Sequence, residues 1–201
     1  EIDNLFGIPQ TEKYHPEVDT GIHLMLCLKK SAELGYDEEV RFAVLTHDLG
    51  KANTPGDILP SHYGHEQRGA KLTRKFCQNW RVPKSYTDLA LLTCEYHTHI
   101  HRIYELKPST LLKLFATCDI YRRPERFIKM TLACIADARG RTGFENTPYP
   151  QAKYACRLAE KLNSLDLGEV LAKGLQGKAL GDAIYDSRLK YLKSIIEDHP
   201  D

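Results

Sequence analysis

The sequence predicts an all-α fold, and three observations carry that expectation. Apolar residues recur at helical spacing along most of the chain, as in Val40, Ala43 and Val44 or Leu111, Leu114 and Phe115. No convincing run alternates apolar and polar residues over the length of a strand. Prolines and glycines fall where helices start and stop, as with Pro108, Pro124 and Gly35.

Taken in order, residues 1–13 read as an irregular lead-in. Pro16 suits the first turn of a helix with Val18, Ile22, Met25, Leu26 and Leu34 as its apolar face, Gly35 as its stop and His23 at its middle. Asp37 is a good N-cap for a second helix that ends at Gly50, which puts His47 and Asp48 on its last turn. A loop rich in Pro, Gly and Asn follows over 52–64. Helices are expected over 65–79 and 85–99, separated by a break at Trp80 to Pro83. Pro108 and Ser109 open a strongly apolar helix that reaches Asp119. Pro124 and Glu125 open another, through Ile128, Leu132 and Ile135, that ends at 137–141. After a loop over 144–150, three further helical stretches (151–165, 168–175 and 178–197) read as an extension, so the expected division is a main bundle at 1–150 and a helical extension at 151–201 packed on it.

With 201 residues, 42% hydrophobic and 27% charged, the chain is long enough for one globular domain with a real core. The formal net charge of +1 gives no support for extensive nucleic-acid binding, though it leaves room for a small phosphate site. No apolar run approaches the roughly 20 residues that span a bilayer, so no membrane partner is expected. The chain begins Glu1-Ile2-Asp3, without an initiator Met and without the basic start and apolar core of a secretory signal, and reads as a segment of something longer. None of the six cysteines forms a Cys-x-x-Cys pair. Most sit in apolar helical stretches, as small buried residues of a protein in the reducing cytoplasm.

The chemistry centres on Thr46-His47-Asp48-Leu49-Gly50-Lys51. An adjacent His and Asp offer an imidazole nitrogen and a carboxylate oxygen to one point, as a divalent metal requires. A lone His-Asp pair is more often a solvated helix end, so further ligands must come from elsewhere. Eight of the nine histidines lie in residues 15–101. His23 from the first helix joins His47 and Asp48 as a candidate, and Asp119 is the preferred distal carboxylate because it ends a strongly apolar helix; Asp137 is its competitor. His65, His97 and His101 are candidates for a second metal site or a phosphate contact, since His97 and His101 are four residues apart on one helical face while His99 points elsewhere. Lys51 is placed to neutralise a phosphoryl oxygen, and Arg68 is a weaker candidate for the same role. His15 and His62 look structural.

An early His, an adjacent His-Asp and a distal Asp on an all-α bundle resemble the HD superfamily of metal-dependent phosphohydrolases. Carried over residue by residue, the resemblance implies a metal set of His23, His47, Asp48 and Asp119. The longer motifs Glu1-Ile-Asp-Asn-Leu-Phe-Gly-Ile-Pro-Gln10, Tyr14-His-Pro-Glu-Val-Asp-Thr-Gly-Ile-His23, Thr54-Pro-Gly-Asp-Ile-Leu-Pro60, Gly64-His-Glu66, Arg122-Arg-Pro-Glu-Arg126 and Asp137-Ala-Arg-Gly-Arg-Thr-Gly-Phe-Glu145 resemble the C-terminal HD region of the bacterial CCA-adding tRNA nucleotidyltransferases. That likeness implies phosphatase, 2'-nucleotidase and 2',3'-cyclic phosphodiesterase activities that use a divalent ion (Ni, Mg, Mn or Co). In that reading Asp48 orients or deprotonates a water, and Lys51 with His65, His97 or His101 stabilises charge on the phosphoryl group. The implied partners are a tRNA 3' end, nucleotide phosphoesters, an N-terminal nucleotidyltransferase region and a second copy of the protein. Paired carboxylates after a Gly-rich turn, which CCA addition needs, are not found in this sequence, so that activity is not expected within it. Two other readings stand beside this one. A non-catalytic tRNA-binding or dimerisation module would use the basic stretches at Arg122 to Arg126 and at Arg139 and Arg141, and a hydrolase of signalling nucleotides would use the same metal set.

Overall fold

The computed structural model describes residues 1–196; the expected helix end at residue 197, and His199, lie outside the described residues. The fold is all-α as expected, and its order is set by short connections. The chain runs through α1 (Thr20–Glu33), α2 (Glu38–Thr46), α3 (His65–Asn79), α4 (Lys84–His101), α5 (Pro108–Thr117), α6 (Pro124–Arg139), α7 (Pro150–Asn163), α8 (Gly168–Leu171) and α9 (Gly177–Ile195). Short 3-10 turns occur at Asp3–Leu5, Leu49–Asn53, Gly56–Ile58 and Ile103–Glu105.

Helix α1 starts at Thr20 rather than at Pro16, because Asp19 caps it. One oxygen of its carboxylate accepts the Ile22 N–H at 2.9 Å, and the other accepts the Gly7 N–H at 2.6 Å. The apolar stripe expected to face the core is turned outward here: Val18, Ile22, Met25 and Leu34 are all exposed. The buried face carries Leu24 and Cys27 together with His23 and Ser31. A helix that lines a polar site buries polar residues, so hydrophobic spacing misassigns its inward face.

In α6 the expected stripe is turned partly outward: Ile128 is exposed and Leu132 and Ile135 are half-buried, whereas Phe127, Met130, Cys134 and Asp137 are buried. Met130, Cys134 and Asp137 follow each other at i, i+4 and i+7, so the carboxylate continues the core stripe.

The main core lies between α2, α4, α5 and α6. Phe115 and Phe127 meet edge to face with ring centroids 5.5 Å apart, surrounded by Leu89, Ile100, Leu111 and Met130. Tyr154, Leu158 and Leu162 of α7 and Leu192 of α9 belong to this same cluster. A smaller cluster of Leu5, Leu24 and Leu49 lies beneath the His47–Asp48 turn and ties the lead-in to it.

Two glycines permit the approaches that assemble the site. A Cβ on Gly50 would collide with the backbone carbonyl of His65 and come within 2.5 Å of the Gly69 nitrogen. The 3-10 turn after Asp48 therefore rests directly on the first turn of α3. A Cβ on Gly140 would come within 2.5 to 2.7 Å of the Cys27 side chain and backbone, so the end of α6 lies flat on α1. Gly50→Ala should lower the free energy of unfolding by about 1–3 kcal/mol or more, since neither obstructing backbone can step aside; urea denaturation followed by circular dichroism measures it.

Candidate metal centre

Five elements converge on one buried polar cluster. His23 comes from the first turn of α1, His47 and Asp48 from the turn after α2, His65 from the first residue of α3, His97 and His101 from the last turns of α4, and Asp137 from the end of α6. His23, His47, Asp48, His65, His97 and Asp137 are buried.

The backbone fixes several ring orientations. A carbonyl only accepts, so His47 Nδ1–H donates to Val44 O at 2.7 Å. This leaves His47 Nε2 to face the carboxylates, 3.3 Å from Asp48 Oδ2 and 3.7 Å from Asp137 Oδ2. His65 Nδ1–H donates to His62 O at 2.9 Å, and His97 Nδ1–H donates to Thr93 O at 3.0 Å. Their Nε2 atoms lie 3.4 Å apart, and 3.4 and 3.6 Å from Asp48 Oδ1.

These distances bear directly on whether a metal fits. His47 Nε2 and Asp48 Oδ1 are buried without a hydrogen-bond partner among the described residues. A buried polar atom without a partner is costly, and a cluster of carboxylates is stable only around positive charge, from a protonated ring or from an ion. Ligand atoms of His23, His47 and Asp48, and separately of Asp48, His65 and His97, lie within 4.8 Å of one another. The nitrogen and oxygen donors fit a divalent ion, and Asp48 belongs to both groups.

The shell outside this cluster orients it. His23 Nδ1 lies 2.7 Å from Glu17 Oε1, and its Nε2 lies 3.0 Å from Asp137 Oδ1. A carboxylate behind a histidine holds the ring and raises its basicity. Burial disfavours charge on His23, but Cys27, Asp137 and Glu17 outweigh it and hold its pKa well above the ordinary value. Burial also opposes ionisation of Asp48 and Asp137. The His47 and Lys51 charges reverse this for Asp48, and those of His101 and His47 for Asp137, so both pKa values fall well below the ordinary one. Burial dominates at His97 and pushes its pKa well down, which keeps the ring neutral at pH 7.

Lys51 Nζ sits between Asp48 Oδ2 and Gln10 Oε1, 2.6 Å from each. His101 Nε2–H donates to Asp137 Oδ2 at 2.7 Å, and its Nδ1 is hydrogen-bonded to the Tyr149 hydroxyl at 2.7 Å. An open cavity of about 650 Å³ leads in from solvent, lined by Lys51, His65 and His101 among others.

The structure thus gathers His23, His47, Asp48, Lys51, His65, His97 and His101, but it does not bring Asp119 to them. Asp119 follows α5 in a left-handed conformation (φ +57°), and its carboxylate pairs with Arg122 at 2.9 Å. Asp137 occupies the place expected of it, because α6 buries the face that carries Asp137. Arg68 is engaged by Gly50 O, Tyr63 O and Thr54 Oγ1 and serves as a brace for the turn. His15, read as structural, packs its ring on His23 at 4.5 Å. Glu17, Tyr149 and Gln10 went unnoticed in the sequence. Gln10 and Tyr149 act through contacts with Lys51 and His101 far along the chain, and Glu17 through His15, His23 and the Thr142 N–H; no spacing rule signals such contacts.

An all-helical bundle with a His-Asp pair at its centre defines a class, and the chain belongs to the HD domain family, whose model matches residues 20–124. Asp137 lies beyond that match. Among its relatives, the Multifunctional CCA protein of Thioalkalivibrio sulfidiphilus is 49% identical over 97% of this chain and 48% of that protein. The proteins of the same name from Teredinibacter turnerae and Hahella chejuensis are 49% and 46% identical over 96% and 99% of this chain, and 47% of each. The chain spans about half the length of these relatives. No solved structure is significantly similar to it.

Asp137→Ala should weaken uptake of a divalent ion by at least about tenfold, while Asp119→Ala leaves it unchanged. Calorimetric titration with Mn or Ni on the metal-stripped proteins distinguishes the two.

Proposed function

We infer that this chain is the metal-dependent phosphohydrolase module of a tRNA CCA-adding and repair enzyme. Its substrates are 2',3'-cyclic phosphates, 2'-nucleotides and phosphomonoesters, with a tRNA 3' end as the physiological class. One observation carries the reading: buried nitrogen and oxygen donors of His23, His47 and Asp48, and of Asp48, His65 and His97, converge within 4.8 Å of one another, with Asp48 in both groups. The relatives' shared name, Multifunctional CCA protein, supports the link to tRNA 3' ends. Nucleotidyl transfer belongs, in this reading, to the half of the relatives that this chain does not span.

His23, His47, Asp48 and Asp137 would hold the divalent ion (Ni, Mg, Mn or Co), and the Asp48, His65 and His97 group a second. Such an ion supplies Lewis-acid polarisation of a phosphoryl oxygen and a water acidic enough to attack at neutral pH. The chain's own groups do the rest. Ionised Asp48 would help hold the ion and orient the attacking water beside it. Lys51 Nζ, with two of its protons directed at Asp48 and Gln10, has a third for a phosphoryl oxygen at the cavity floor. His65 and His97 present lone pairs at Nε2, which suits a cation and not an anionic phosphate. Tyr149 and Asp137 hold His101 in one tautomer at the cavity wall.

Hydrolysis of 2',3'-cyclic AMP and of p-nitrophenyl phosphate should vanish on metal stripping and return with one or more of Ni, Mg, Mn and Co. His47→Ala and Asp48→Ala should abolish turnover with helical content retained. A folded wild-type protein silent in every metal, yet binding tRNA, would replace this reading with that of a binding module.

A further inference from the structure

The cavity over the metal centre carries three cations on its lining: Lys51, Arg102 and Arg141. Two of them are matched by carboxylates. Lys51 pairs with Asp48 at 2.6 Å, and Arg102 pairs with Glu105 at 2.6 Å. Arg141 has no carboxylate partner among the described residues. Its single hydrogen bond is a long one, from Nη1 to Tyr14 O at 3.4 Å, and its Nε is buried without any partner.

The position of this guanidinium is fixed by the site itself. Asp137 closes the last turn of α6, Gly140 presses against Cys27 of α1, and Arg141 is the next residue. Arg141 and His101 both line the main cavity, and both line a side cavity of about 230 Å³ next to Tyr149. The guanidinium therefore stands on the His101 side of the entrance, while Lys51 stands beside Asp48.

An unneutralised arginine with an open, partly desolvated fork suits a bidentate oxyanion. We propose that Arg141 is the phosphate-binding residue of this site, taking two non-bridging oxygens of the substrate's phosphoryl group on Nε and the adjacent Nη. The proposal rests on the phosphohydrolase reading and adds the group that recognises the anion. It also gives a reason for the missing carboxylate, since an internal ion pair would compete with the phosphate for the same fork.

The test uses the metal-loaded protein, with orthophosphate binding measured by calorimetry and hydrolysis of 2',3'-cyclic AMP measured in parallel. Arg141→Ala should weaken orthophosphate binding by about tenfold to a hundredfold, as expected for loss of a charge-assisted pair, and raise KM by a similar factor. Metal uptake should stay at the wild-type level. Arg141→Lys should restore only part of the affinity, because an ammonium cannot reproduce the planar fork. Orthophosphate affinity and KM within twofold of wild type in Arg141→Ala would overturn the proposal, and full rescue by lysine would overturn its bidentate form. If Arg141→Ala does not fold, Arg141→Gln, which keeps length and polarity without charge, is read in the same way. Should wild-type protein hydrolyse nothing, the phosphohydrolase reading fails while the orthophosphate titration still decides the role of Arg141.

Discussion

The Asp48 carboxylate is the point on which the structure depends. It is buried and ionised, with one oxygen toward His47 and Lys51 and the other toward His65 and His97. A charge in that position is tolerable only if compensated, and Lys51 alone cannot compensate it, because Asp137 and Glu17 add two more carboxylates to the same cluster. His23 and His47, whose pKa values are raised, despite their burial, by the neighbouring carboxylates, share in that compensation. Three histidines, His47, His65 and His97, hold Nδ1 against backbone carbonyls and turn Nε2 inward. The convergent nitrogen and oxygen donors could hold a divalent ion.

Keeping such a cluster together requires helices that approach more closely than side chains normally allow. Gly50 brings the turn after Asp48 against the start of α3, so that Asp48 and His65 share one space. Gly140 brings the end of α6 against α1, so that Asp137 reaches His23. These contacts explain why α1 buries His23 and Ser31 while Ile22 and Met25 face outward. The apolar core of Phe115, Phe127 and Met130 continues the stripe of α6 that ends in Asp137 and packs α4 and α6 together. Polar cluster and apolar core share α4 and α6, so the site is as rigid as the core beneath it.

The entrance follows a different logic. The floor holds its lysine in an ion pair, which keeps Asp48 ionised and directs only one spare proton outward. The wall holds His101 between Tyr149 and Asp137, with both ring nitrogens engaged. Among the described residues, Arg141 is the cation of the cavity lining that has no carboxylate partner. In the proposed arrangement it shares recognition of the anion with the spare proton of Lys51, from the opposite side of the cavity.

The sequence by itself determined the all-helical class, most helix positions and the histidine-rich first half, because Pro, Gly and Asp37 act locally and helical periodicity is local too. It also singled out His23, His47, Asp48, Lys51, His65, His97 and His101, since an adjacent His-Asp and an i, i+4 histidine pair are visible along the chain. Only the tertiary structure places Asp137, and not Asp119, beside the histidines. Both carboxylates close a helix, and what separates them is which face of that helix the rest of the molecule covers. Hydrophobic spacing misassigned the inner faces of α1 and α6 because each of those faces is partly polar, and it is polar because it meets the site. Gln10, Tyr149 and the unmatched fork of Arg141 are defined by contacts between distant segments, and Glu17 by the turn that folds it back on His23, none of which the order of residues encodes in a local pattern.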